Sequence, residues 1–205
     1  METTEQAQGI DVSHYQGLVD WSQVRQAGVA FAFAKATEGL TTVDSEFSTN
    51  WPAMSAAGLL RGAYHFFHPE EDAASQAEHF LSIVGVLTAH DLPPVLDVET
   101  TNGVSTSALW AGVSTWLETV TQRTARTPLL YTSHSFWNDN APDPTLTRYP
   151  LWLADYAETP TLPDGFTTWS FWQYTQAGSV AGVSGAVDQD AFNGPIAALL
   201  AFLAG

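Results

Sequence analysis

Eight short apolar runs, rich in β-branched and aromatic residues, set what this chain can fold into. They are Gly9–Ser13, Val29–Ala34, Leu60–Phe67, Pro94–Val98, Pro128–Thr132, Leu151–Asp155, Trp169–Tyr174 and Val183–Asp188. Helical patterns accompany the first five, which is the signature of βα units around a parallel sheet. Several runs lack polar alternation, as expected of strands covered on both faces. After residue 140 strand-like segments follow one another through Pro- and Gly-containing loops, with no long amphipathic helix between them. The expected fold is an α/β, irregular TIM-like β/α barrel of eight strands with reduced helices in its C-terminal third. At 205 residues the chain is near the low end for such a barrel. No repeat or Pro/Ser-rich linker divides it, so residues 1–205 read as one domain.

Helix punctuation supports this frame. Asp20 with Gln23 has the form of a capping box, and Gly28 closes that short helix. Asp72 caps a longer one whose apolar positions Ala73, Ala77, Phe80, Leu81 and Val84 recur at helical spacing before Gly85. Leu109, Val113, Trp116, Leu117 and Val120 form a second stripe, and Pro195 begins a C-terminal helix.

Acidic residues outnumber basic ones 22 to 6, and Lys35 is the only lysine. Such a surface repels phosphate backbones and anionic membranes, so neither nucleic acid nor membrane is an expected partner. With no cysteine there is no disulfide, thiol nucleophile or Cys-ligated metal. Met1 is followed by a polar, acidic segment through Gln8, which reads as neither signal peptide nor anchor. No apolar run approaches the ~20 residues that span a bilayer.

The segment most informative about chemistry is Leu92-Pro-Pro-Val-Leu-Asp-Val-Glu-Thr100. A buried strand there ends in Asp97 and Glu99, two positions apart and so on one face. At the C-terminal end of a barrel strand that face looks into the mouth of the barrel. Two adjacent carboxylates push their pKa values apart, giving one proton donor and one anion, the pair that glycoside cleavage requires. The alternative is an acidic turn capping a helix that starts near Thr106. Asp11 lies near the end of the first strand and Asp188 ends the last. First and last strands are neighbours in a closed barrel, so the two acids should converge on one rim, although each also suits a turn-capping role. Glu38 is a further rim acid.

Aromatic residues gather at the same rim: Tyr64 and Phe66, Tyr131, Trp152 and Tyr156, and Trp172 and Tyr174. Flat rings stack on the apolar faces of sugars, but strand alternation should send about half of them to the core. His65 and His68 point to opposite faces and cannot share an ion, and the remaining histidines lack ligand spacing. His14 and His65 are placed within reach of the groove. No metal, cofactor, serine nucleophile or phosphate loop is expected.

Taken together, Gly9-Ile-Asp-Val-Ser-His-Tyr-Gln-Gly17, Ala34-Lys-Ala-Thr-Glu-Gly39, Arg61-Gly-Ala-Tyr-His-Phe66, Val95-Leu-Asp-Val-Glu99, Leu151-Trp-Leu-Ala154, Phe171-Trp-Gln-Tyr174 and Gly182-Val-Ser-Gly-Ala-Val-Asp188 resemble the glycoside hydrolase family 25 muramidases, the Chalaropsis-type lysozymes. The resemblance runs in order from residue 9 to about 194. It implies an irregular β/α barrel, without an appended wall-binding module here, that hydrolyses the β-1,4 bond between N-acetylmuramic acid and N-acetylglucosamine. By position, Glu99 matches the family's general acid, Asp97 the second carboxylate, and Asp11 and Asp188 the acids of the first and last strands. Glu38, Tyr64, Phe66, Tyr131, Trp152, Tyr156 and Trp172 are expected to line the substrate groove.

The implied partner is bacterial cell-wall peptidoglycan, met outside the cytoplasm by a monomer that is released as phage lysins are or has lost its leader. An acidic protein must recognise such a wall through neutral sugar contacts. Retaining, inverting and substrate-assisted mechanisms all remain open, the first two being distinguished by carboxyl separations of ~5–5.5 and ~6.5–9.5 Å. A strand-end Asp-x-Glu also suits a chitinase-like glycosidase. A groove that had lost hydrolysis would be a non-catalytic peptidoglycan-binding module, against which the retention of all four acids speaks.

Overall fold

The computed structural model describes residues 5–204, so the first four residues of the polar N-terminal segment, and Gly205, lie outside it. Nine strands form one sheet: β1 (Gln8–Val12), β2 (Phe31–Glu38), β3 (Thr42–Val43), β4 (Leu60–Phe66), β5 (Val95–Asp97), β6 (Leu129–Ser133), β7 (Leu151–Ala154), β8 (Phe171–Gly178) and β9 (Val187–Phe192). Eight of them close a ring in the order β1-β2-β4-β5-β6-β7-β8-β9, and β3 hangs outside on the end of β2. Helices α1 (Trp21–Gln26), α2 (Phe47–Ala56), α3 (Ala73–Val84), α4 (Thr106–Thr124) and α5 (His134–Asp139) follow the first five ring strands, and α6 (Ile196–Ala204) ends the chain.

The ring is mixed rather than wholly parallel. β9 pairs antiparallel with both neighbours, Asp11 lying opposite Asp188 and Gln173 opposite Asp190. The reason is the link between β8 and β9, residues 179–186, which holds no crossover helix. Strands joined by a short turn run antiparallel; a parallel return needs a dozen or more residues. Asp188 therefore opens its strand instead of closing it, and reaches the expected rim from the other direction.

Two apolar layers hold the ring. Outward residues of the strands, among them Ala32, Ala34, Leu96 and Leu130, are fully or almost fully buried against Phe80, Val113, Trp116 and Leu117 of α3 and α4. Inward residues Phe31, Phe33, Leu92, Val95, Leu129 and Phe171 fill the barrel, and Leu199 and Phe202 of α6 stop its lower end. Each such buried side chain contributes about 1.5–3 kcal/mol. The filling is tight: a Cβ added to Gly9 or Gly62 would stand 2.2 Å from the Phe31 or Phe33 ring, so both strands need a glycine there.

Asp20 and Asp72 cap α1 and α3 by accepting from the Gln23 and Ser75 amides. Gln23 returns its amide to the Asp20 carboxylate rather than its backbone, so the box is not reciprocal. The cap of α4 is Ser105, bonded to the Ala108 amide, which leaves Asp97 and Glu99 free of any capping role there.

Candidate active site

The upper, C-terminal end of the ring opens into a cavity of about 190 Å³. Every ring strand but β2 supplies part of its wall: Asp11 from β1, Tyr64 from β4, Asp97 from β5, Tyr131 from β6, Trp152 from β7, Gln173 from β8 and Asp188 from β9. Glu99 and Tyr156 join them from just beyond β5 and β7. Two extensions leave this cavity. One, of about 200 Å³, passes Lys35 and Phe66 to the turn at Ser13–Gln16. The other, of about 490 Å³, passes Ser133, His134, Ser135 and Asp155. Glu99 borders all three spaces, so it stands where a groove across the barrel mouth is centred.

The floor and walls are tied by hydrogen bonds. The Gln173 amide donates to Asp11 Oδ2 (2.7 Å), and its carbonyl accepts from Tyr131 and Tyr156, both at 2.9 Å. Trp152 stacks on Phe33 at 4.3 Å and donates its indole N–H to Asp190 Oδ1 (2.8 Å). A bulge in β2 between Lys35 and Thr37 turns Thr37 outward, onto His65, and leaves Lys35 and Glu38 on one side as an ion pair.

Burial dominates the electrostatics. It raises Asp97 well above the ordinary carboxylate range, helped by the Glu99 charge hydrogen-bonded to it and partly offset by Lys35. Asp11 is raised by burial and by Asp190 and Asp188, and Asp190 by burial above all. Asp188, half-buried, is raised less. Tyr64 and Tyr131 are held as neutral phenols by burial and the surrounding acids. The buried Asp97 Oδ1 and Asp190 Oδ2 have no hydrogen-bond partner, consistent with carboxyls that keep their protons. Asp97 is buried while Glu99 is exposed, so a proton held on the first lies beside a group open to the groove.

The structure brings Asp11, Asp97, Glu99, Asp188, Tyr64, Tyr131, Trp152 and Tyr156 to the central cavity and Phe66 to one extension. Trp152 is only 2% exposed and serves as floor. Four positions depart from expectation. Trp172 does not border the cavity: Phe171 and Gln173 point inward, so alternation sends Trp172 outside, against Trp169 and Tyr174. Glu38 stands behind the groove, where Lys35 and His68 outweigh burial and hold its pKa low. His65 faces the outer core, stacked on Trp116 and bonded to Thr37 and Gln76, and burial pushes its pKa down to about 3. His14 is bound to buried Asp44 rather than lining the groove.

Lys35, Gln173 and Asp190 were not singled out from the sequence. A polar residue between apolar neighbours on an inward parity is the one local signal of Lys35 and Gln173, Asp190 follows the polar Gln189 and lacks even that, and the partners of Gln173 lie up to 162 residues away. Among the described residues no cluster of His, Asp or Glu is arranged to hold a metal ion.

Residues 10–183 match the glycosyl hydrolases family 25. Lysozyme M1 of Streptomyces globisporus is 41% identical over 97% of this chain and 71% of its own length. The N,O-diacetylmuramidase of Chalaropsis sp. is 35% identical over 88% of this chain and 95% of its own. The crystal structure of a bacterial lysozyme from Streptomyces coelicolor superposes with a TM-score of 0.93, at 40% identity and 98% coverage of both chains. A mixed barrel whose mouth gathers an exposed and a buried carboxyl, together with these likenesses, places the chain in glycosyl hydrolases family 25, as a glycoside hydrolase of the lysozyme kind.

Proposed function

We propose that the chain cleaves peptidoglycan at the β-1,4 bond between N-acetylmuramic acid and N-acetylglucosamine, acting on the wall outside the cytoplasm, with Glu99 as general acid and Asp97 assisting. The observation that carries this reading is the unequal pair: Asp97 buried and raised, Glu99 exposed and bordering every branch of the groove. The pair shares one proton. Burial keeps it on Asp97 in the resting site. As the glycan binds, the proton passes to Glu99 and then to the glycosidic oxygen, breaking the bond to the anomeric carbon. Asp97 is left as a carboxylate that orients the 2-acetamido group or stabilises the developing cation. Water then adds to the anomeric carbon and returns a proton to Glu99, restoring the pair. Asp11 and Asp188 form the opposite wall, and Tyr131 and Tyr156 supply neutral hydroxyl contacts to the sugars.

The test is wall-turbidity loss with product mass spectrometry for wild type and Glu99→Gln, which keeps shape and removes the transferable proton. Wild type should release fragments ending in reducing N-acetylmuramic acid, and the folded variant should be slower by about 10²–10⁴-fold. Equal turnover by the variant would remove Glu99 from the acid role. Binding of walls without cutting would refute hydrolysis, and preference for chitin oligomers would transfer the reading to a chitinase-like enzyme.

A further inference from the structure

Tyr15 stands at the outer end of the extension that passes Lys35 and Phe66, and the residue is 82% exposed. Exposure alone says little of a single ring, but at the lip of a groove a phenol offers a flat apolar face with a polar edge. The ring is also held in place. Ser13 Oγ accepts from the Tyr15 amide (3.3 Å) and Gln16 Oε1 accepts from the Ser13 amide (2.9 Å), closing a capped turn. His14 gives both its backbone amide and its ring Nδ1 to one oxygen of buried Asp44, at 3.0 and 2.8 Å. The His14 ring lies 4.1 Å from the Tyr15 ring and backs it. A ring presented on a turn this well anchored has little ordering entropy left to lose on binding.

Tyr15 borders the extension but not the central cavity, whereas Glu99 borders both. A pyranose lying on Tyr15 is therefore an outlying sugar of a strand whose cut bond lies at Glu99. The net charge of −16 gives no long-range attraction to an anionic strand, so uncharged stacking on the sugar's apolar face is the interaction available to hold it. We infer that Tyr15 is a stacking platform for an outlying pyranose, which makes the enzyme favour long glycan strands over short oligosaccharides. The inference rests on the lysozyme reading of the groove and adds to it a determinant of substrate length.

The experiment compares wild type, Tyr15→Ala and Tyr15→Trp on defined wall oligosaccharides of increasing length and on polymeric glycan, with melting temperatures to check the fold. For Tyr15→Ala, KM on polymeric glycan should rise about tenfold with kcat changed by less than about twofold. The ratio of variant to wild-type kcat/KM should fall as the substrate lengthens, and Tyr15→Trp should restore it. A ratio that is the same at every length, or a tryptophan variant that behaves like alanine, would overturn the platform. Wild type that cuts no glycan of any length would instead overturn the lysozyme reading, and the platform with it.

Discussion

Going up the barrel, the inward residue changes from Gly9 to Asp11 on β1, from Phe33 to Lys35 on β2 and from Gly62 to Tyr64 on β4. It changes likewise from Val95 to Asp97 on β5, from Leu129 to Tyr131 on β6 and from Phe171 to Gln173 on β8. One pleat of strand separates a dry aromatic floor from a rim of acids, phenols, an amide and one ammonium group. The two layers are interdependent. The floor excludes water from beneath, so Asp11 and Asp97 meet solvent only from above, and that burial is what raises them. The rim contributes nothing comparable to stability, since several buried acids share the one cation of Lys35 and are held at a cost.

Three substitutions separate the layers. Phe33→Ala removes a ring that stacks on Trp152 and fills the space over Gly62. It should destabilise the fold by about 3–5 kcal/mol in denaturant titrations; a loss under about 1 kcal/mol would mean that the floor is not packed as described.

Asp97→Asn should act in the opposite direction, abolishing turnover while stabilising the fold at neutral pH by about 0.5–2 kcal/mol. The sign follows from the raised pKa. A carboxyl raised in the folded state favours folding below its unfolded value of about 3.9 and loses that contribution as pH climbs through the raised value. The amide has no proton to lose, so its advantage should shrink as the pH is lowered toward 4. An advantage that is flat with pH would show that Asp97 is not raised. Carboxylates with lowered pKa, such as Asp91 beside Arg61, act the other way and lose their contribution on acidification. The smallest effect is expected from Trp172→Phe, whose ring lies outside the barrel. It should keep kcat/KM within about threefold; a loss above tenfold would return the ring to the groove.

The floor was easier to read from the sequence than the rim. Runs such as Val95–Leu96 and Leu129–Leu130 mark buried strands wherever they pair, because burial is a property of each run alone. The acids Asp97 and Glu99 were legible for the same reason, being attached to such a run. The Gln173 network was not, since it joins β8 to β1, β6 and a loop after β7. Nor was the inward parity of β8: a one-residue choice of face exchanges Trp172 for Gln173. The direction of β9 was not legible either, because the lack of a long helix after residue 140 is shared by the links into β7 and β8, which nonetheless pair parallel.

That reversed strand has a consequence during synthesis. Of the eight ring strands β1 comes first in the chain and β9 last, and they are hydrogen-bonded partners. A nascent chain that has not yet delivered residues 187–192 leaves one side of β1 unpaired and brings no Asp188 to the mouth. Closing the ring and completing the acidic rim are one event, set by the last of the ring strands to be made. A product stopped before β9 would thus lack a wall of its own groove, and the cell making it would hold an unclosed barrel rather than a partly active enzyme.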